Sequence, residues 1–189
     1  MITSHPLFLY LVIPLALGMQ HFSVSVSNAC AAEKLSPGVP MKTAFLFAVF
    51  AILMFFTGKT AASWVEGRIE EAAYPWISFL FYTITGMRII LHGWQKKAQL
   101  KIFEISYFSV ALALALALGV NLFFAGVAIH YQHLNPGYFA ISLGLVILFF
   151  SFIGLLLGKQ FGEGMGWKLE LTAGALLVAH GIGPLMTAF

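Results

Sequence analysis

Aspartate is absent from this 189-residue chain, and charge of either sign is scarce: lysine and arginine together number 10, and all seven acidic residues are glutamate. Charged residues make up 9% of the chain and hydrophobic ones 60%, whereas a soluble domain carries about 25% charged residues. The shortage excludes an ordinary soluble globular protein, and a mean hydropathy of +0.92 excludes a disordered one. A lone cysteine, Cys30, excludes an internal disulfide and a cysteine-built metal site. No nucleophile–base pair, phosphate loop or nucleotide fingerprint can be found, so the chain does not read as an enzyme. The net charge of +3 does not argue for a nucleic-acid partner, because the basic residues flank apolar segments, where they act as topology signals.

What the chain does have is six long apolar segments, roughly Pro6–Asn28, Thr43–Ala62, Tyr74–Gly93, Ile105–His130, Gly137–Gly158 and Leu169–Ala188. A helix of about 20 residues crosses a hydrocarbon core of about 30 Å, and helices satisfy their own backbone groups where lipid cannot. The expected fold is therefore an all-α membrane protein of six transmembrane helices, a single integral membrane domain over residues 1–189 with the lipid bilayer as its first partner. Asn28-Ala29-Cys30-Ala31-Ala32 has the small residues of a signal-peptide cleavage site. No basic residue precedes the long apolar run, so a retained helix is expected. The connectors after the first, third and fifth segments hold Lys34, Lys42, Lys96, Lys97, Lys101, Lys159 and Lys168; the other side holds Lys59 and Arg68 beside Glu66, Glu70 and Glu71. The basic side should be cytoplasmic and both termini extracytoplasmic.

Three weak self-similarities occur in the same order. Phe50 … Gly58-Lys59 matches Phe150 … Gly158-Lys159, Gly86 … His92-Gly93 matches Gly174 … His180-Gly181, and Gln20 and Asn121 occupy comparable places in the first and fourth segments. With three spans per copy the second copy enters the membrane reversed, so the expectation is two inverted three-helix repeats, about 6–94 and about 104–189. Secondary transporters recurrently use this plan, with the substrate site at the repeat interface.

Polar residues within apolar spans face the bundle interior because lipid offers them no partner. Gln20, Asn121, His92, His180 and Ser23 are the candidate substrate path, and Gln20, Asn121 and His92 the candidate metal ligands. For the amides the alternative is plain interhelical hydrogen bonding. For the histidines it is capping of a neighbouring helix. His21, about 100° around the helix from Gln20, reads as a packing or gate residue. Arg88 can snorkel to the cytoplasmic surface or pair with Glu104 or Glu170. Those two acids fall at the starts of spans, where the helix dipole favours them. Ser23, Ser25 and Ser27 either permit close helix packing or line a polar path.

Met19-Gln20-His21-Phe22-Ser23-Val24-Ser25-Val26-Ser27-Asn28 resembles the first-span motif Met-Asp-x-Phe-Ala-Val-Ser-Ile-Ser-Asn of the MntP-type manganese exporters. Asn121-Leu122-Phe123-Phe124-Ala125-Gly126 is similar to that family's fourth-span motif, and Gly86-Met87-Arg88-Ile89-Ile90-Leu91-His92-Gly93 to its third-span end. The hairpin Gly158 … Lys168-Leu169-Glu170 … Gly174 also looks like the family. The resemblance implies six spans in two inverted halves, export of a divalent metal ion as transported substrate, and a bacterial inner membrane location. It departs at the chemistry: Gln20 and Asn121 stand where the family has aspartates, and His92 where it has glutamate. Mn²⁺ prefers carboxylate and carbonyl oxygen, while imidazole suits Ni²⁺, Cu²⁺ or Zn²⁺, so an altered site is expected, with one of these ions or a non-metal solute as cargo. The alternative is a transport-inactive homologue serving as an accessory subunit of a larger membrane complex, or a homo-oligomer. In a third reading His92 and His180 ligate a haem- or chlorophyll-like macrocycle, which needs their nitrogens about 4 Å apart across the metal.

Overall fold

The computed structural model describes residues 6–32, 36–98, 105, 107–161 and 163–186. Among them run six α-helices: α1 Pro6–Ala31, α2 Val39–Glu66, α3 Tyr74–Ala98, α4 Phe108–His130, α5 Pro136–Phe161 and α6 Glu163–Met186. A single 3-10 turn, Glu71–Ala73, leads into α3. No strand occurs among the described residues. The helices coincide with the six apolar segments, their ends falling within six residues of the segment ends. Where an end is marked, the marker is local chemistry. Asn135 Oδ1 accepts the backbone N–H groups of Gly137 and Tyr138 at 2.9 and 3.3 Å, and Pro136 follows as the first residue of α5, where a missing N–H costs nothing.

Five helices, all but α3, are long and apolar enough to cross a membrane. Helix α3 spans 25 residues but carries Arg88, His92, Lys96 and Lys97, which lower its apolarity. Outward surfaces of the bundle are apolar, as lipid contact requires: Phe45, Leu53, Leu80, Ile141, Leu145 and Phe149 are all exposed. Inside, the core is built on Ile13, Leu17, Phe47, Phe55, Phe139, Leu143 and Ile147. The alternating Ala-Leu stretch of α4, residues 111–118, contributes to the core through Ala111, Ala115 and Leu118, which are buried at helical spacing.

Helices in lipid gain no hydrophobic driving force from one another, so small residues at their crossings supply cohesion through close approach. Each principal contact has such a crossing. A side chain at Gly86 of α3 would meet the Gly174 carbonyl oxygen at 2.6 Å, and one at Gly174 of α6 would meet the Gly86 oxygen at 2.5 Å. On α5, Gly154 faces the Phe22 carbonyl of α1 at 2.9 Å and Gly158 the Val26 carbonyl at 2.9 Å, while Gly58 of α2 and Gly126 of α4 abut the backbone at Phe123 and Phe55. The main pairs are thus α3 with α6, α1 with α5 and α2 with α4, completed by α2–α5, α1–α6 and α3–α4. Exchanging α1 with α4, α2 with α5 and α3 with α6 leaves this pattern unchanged.

Gly86→Ala and Gly174→Ala each drive a methyl group into an opposing backbone that cannot yield by rotating a side chain. Each should cost about 1–3 kcal/mol, read as a lowered midpoint for unfolding of the detergent-solubilised protein. Gly67→Ala should leave that midpoint unchanged, because nothing lies within 4 Å of the added carbon and the backbone there is right-handed helical, with φ −65°.

Candidate functional site

Helix α1 presents two polar side chains one turn apart, Gln20 and Ser23, on one face. Each is met by a different helix. From α4, Asn121 Nδ2 donates to Gln20 Oε1 at 3.0 Å. Both amides are buried, and Asn121 Oδ1 is left without a hydrogen-bond partner. Two long-range amides thus satisfy half of each other and leave one acceptor open in the bundle interior.

The second meeting is with α6. Ser23 Oγ donates to Glu170 Oε1 at 2.6 Å, and the other carboxylate oxygen, Oε2, lies 2.8 Å from His92 Nδ1 of α3. The carboxylate is fully buried, whereas half of the His92 side chain is exposed. Glycines create the space. A carbon at Gly93 would fall 2.9 Å from Glu170 Cβ, and one at Gly166 would fall 3.0 Å from Ser23 Oγ and 3.3 Å from Ser27 Oγ. A buried carboxylate is tolerable only with a hydrogen-bonded, charge-compensating partner. Ser23 and His92 supply hydrogen-bonding partners from two other helices.

Glu170 is the residue that sequence reasoning placed in a different role. Its expected position at the start of a span made the helix dipole a sufficient explanation. Helix α6 in fact begins at Glu163, so Glu170 lies about two turns inside, beyond the reach of that dipole. The available signal was its location within an apolar span, where an acid is expensive and faces a partner. Among the described residues, every other acid lies at a helix end or in a connector. Arg88 does not pair with it. The guanidinium is exposed and sits over the Phe124 ring, 5.8 Å from its centroid. Glu104 lies outside the described residues.

The remaining candidates separate. His180 belongs to the opposite end of α6, its ring edge-on to Tyr82 at 5.1 Å, and it lines a cavity of about 430 Å³. Helices α3 and α6 run antiparallel, since Gly93 meets Glu170 while Gly181 meets Tyr82. His92 and His180 each lie six residues beyond the Gly86–Gly174 crossing, in opposite directions. At 1.5 Å per residue they are about 18 Å apart along the axes, which corrects the macrocycle reading: no single macrocycle can bridge them. His21 is a packing residue, with Nδ1 3.0 Å from the Leu17 carbonyl and its ring against Phe47. Ser25 packs against Gly154 at the α1–α5 crossing, and Ser23 donates to Glu170. Among the described residues no group of three or more His, Cys, Asp or Glu is clustered as a metal cage.

Comparison with known proteins follows this geometry. The family profile described as "Putative manganese efflux pump" matches residues 35–185. Proteins named "Putative manganese efflux pump MntP" are similar along nearly the whole chain. The one from Elusimicrobium minutum is 26% identical, covering 96% of this chain and 98% of its own length. That from Methanosphaera stadtmanae is 23% identical over 93% and 97%, and that from Saccharophagus degradans 29% identical over 88% and 91%. No solved structure matches.

A double-mutant cycle tests the energetic link between the two amides. Gln20→Leu and Asn121→Leu, singly and together, should give a coupling of about 0.6 kcal/mol and no more than about 1.7 kcal/mol, measured by reversible unfolding in mixed micelles. A coupling of zero would mean that the two amides do not meet in the membrane.

Proposed function

The chain belongs to the Mntp family, and on that premise we propose that it is a multi-pass membrane exporter of a divalent metal cation, with manganese, the ion in its relatives' names, as the reference cargo. The proposed topology has six spans in the cytoplasmic membrane, α3 included, with both termini outside and two inverted halves, α1–α3 and α4–α6. The basic connectors support the orientation. The reciprocal Gly86–Gly174 contact and a packing pattern that survives exchange of the halves support the inverted halves. In this orientation Glu170, Ser23 and His92 occupy the cytoplasmic half and His180 the outer half.

The single observation that carries the export reading is the fully buried Glu170 carboxylate, held by Ser23 and His92 from two other helices. The family's aspartates and third-span glutamate are amides and a histidine here, yet a buried acid remains on the same face of the bundle. Glu170 supplies the negative charge that offsets desolvation of a dication. An arriving cation takes the place of the Ser23 and His92 donors on the carboxylate oxygens. One turn along α1, the open Asn121 Oδ1 acceptor offers the next hard oxygen ligand. With one carboxylate and an imidazole in reach, this site is less selective for Mn²⁺ than a set of several acids and tolerates borderline ions.

The accessory-subunit reading has one observation in its favour: Gln20 and Asn121 bond to each other as a structural pair would. Flux separates the two. In proteoliposomes containing the full chain, Glu170→Gln should reduce Mn²⁺ efflux by about tenfold or more, the consequence of losing about 1.4 kcal/mol or more of charge interaction. Gln20→Asp combined with Asn121→Asp should raise it. A wild-type protein that moves neither Mn²⁺, Ni²⁺, Cu²⁺ nor Zn²⁺ would sink the export reading in favour of the accessory one.

A further inference from the structure

Arg88 carries a charge that neither the core nor the candidate site uses. It lies ten residues before Ala98 and fourteen after Tyr74, the two ends of α3. At 1.5 Å per residue its Cα is about 15 Å from one end and about 21 Å from the other. The residue is exposed. Ile84 and Leu91, one turn to either side, are exposed apolar residues, and so is neighbouring Met87. The two ion pairs among the described residues, His92–Glu170 and His130–Glu66, leave Arg88 out. An acid surrounded by lipid can take up a proton and become neutral, but a guanidinium stays charged. Ionisable residues within membrane spans have partners as a rule.

Snorkelling does not supply one. The guanidinium carbon is 5.8 Å from the centre of the Phe124 ring. That ring packs on Phe81, which lies seven residues from Arg88 toward the Tyr74 end. The side chain is thus turned away from the nearer end of α3, the end that carries Lys96 and Lys97. A phenyl ring recovers only part of the cost of taking a cation out of water. Lipid phosphates lie about 15 Å from the midplane of the hydrocarbon core, in the direction the side chain does not take. A second copy docked on this face by two-fold symmetry sets Arg88 against Arg88, and the carboxylate of Glu170 is fully buried and not on the surface. Charge complementarity leaves a carboxylate carried by a helix of another protein.

We propose that the Arg88 face of α3 docks a transmembrane helix of a different membrane protein, whose apolar span carries an Asp or Glu that pairs with the guanidinium. Ile84, Met87 and Leu91 give the apolar bed on which such a helix lies, and the pair closes where water cannot compete. The proposal rests on α3 as a span, part of the six-span topology above, and not on export.

Benzoylphenylalanine, a photo-crosslinking side chain, placed at Leu91 of the full chain reads this face in native membranes. Expected is a protein adduct whose crosslinked segment is an apolar helix bearing Asp or Glu. Arg88→Leu should reduce that adduct about tenfold or more, and Arg88→Lys should retain it. Arg88→Glu should abolish it, and replacing the partner's acid by lysine should then restore it. Adducts with lipid alone, with a second copy or with a helix that lacks an acid overturn the proposal. So does an adduct that Arg88→Leu leaves unchanged. The charge swap guards against misfolding, because an adduct regained there requires a folded chain, and its failure to return overturns the proposal. Ala72 and Gln95, exposed near opposite ends of α3, separate the docking from the topology. Each is replaced by cysteine in a Cys30→Ser background and probed with a membrane-impermeant maleimide. Labelling from the same side refutes α3 as a span and the docking with it. Labelling from opposite sides without an Arg88-dependent adduct refutes the docking alone.

Discussion

Where Gly86 meets Gly174 the backbones of α3 and α6 touch, and the polar chemistry of the bundle is laid out from that crossing. In lipid a helix pair coheres through packing rather than through exclusion of water. Two glycines with opposing carbonyls 2.5–2.6 Å from a would-be side chain therefore fix the register of the pair. Register then decides which side chains can meet. In one direction it brings His92 to Glu170, and in the other Tyr82 to His180. Slipping the pair by a single residue would rotate Glu170 about 100° away from both Ser23 and His92.

The shortage of acid is the second constraint. Without any aspartate, the chain fully buries one carboxylate among its described residues, Glu170, beside neutral or basic donors. One buried acid with a histidine partner is a small electrostatic load on the bundle, whereas three acids in the same space would repel one another and need a cation for neutrality. The amide pair Gln20–Asn121 is joined by a direct 3.0 Å hydrogen bond and adds no charge to that load.

Much of the fold was legible because its physics is one-dimensional. Run length marks a helix that can cross a bilayer, and all six runs are helices here; α3 falls short of the others in apolarity because Arg88 and His92 lie within it. The reach of Gln20 toward Asn121 was legible from polarity inside apolar runs. Glu170 was not, because its role depends on where α6 starts, and helix ends are the least determined feature of a sequence. A beginning some six residues earlier turns a helix-start acid into one about two turns inside the helix and buried in the bundle. The separation of His92 from His180, by contrast, follows from the inverted repeat itself: reversed copies put matching positions of the third and sixth segments at opposite ends, which the macrocycle reading did not use.

The same antiparallel crossing makes the two ends chemically unequal. The offset of 88 that relates His92 to His180 relates Tyr82 to Glu170, so a carboxyl group at one end corresponds to a phenol at the other. A carboxyl group can hold a cation through charge, which a neutral phenol cannot. An acid on α6 matched by a tyrosine at the equivalent position of α3 is enough to make the two ends of this pair chemically unequal without any difference in fold.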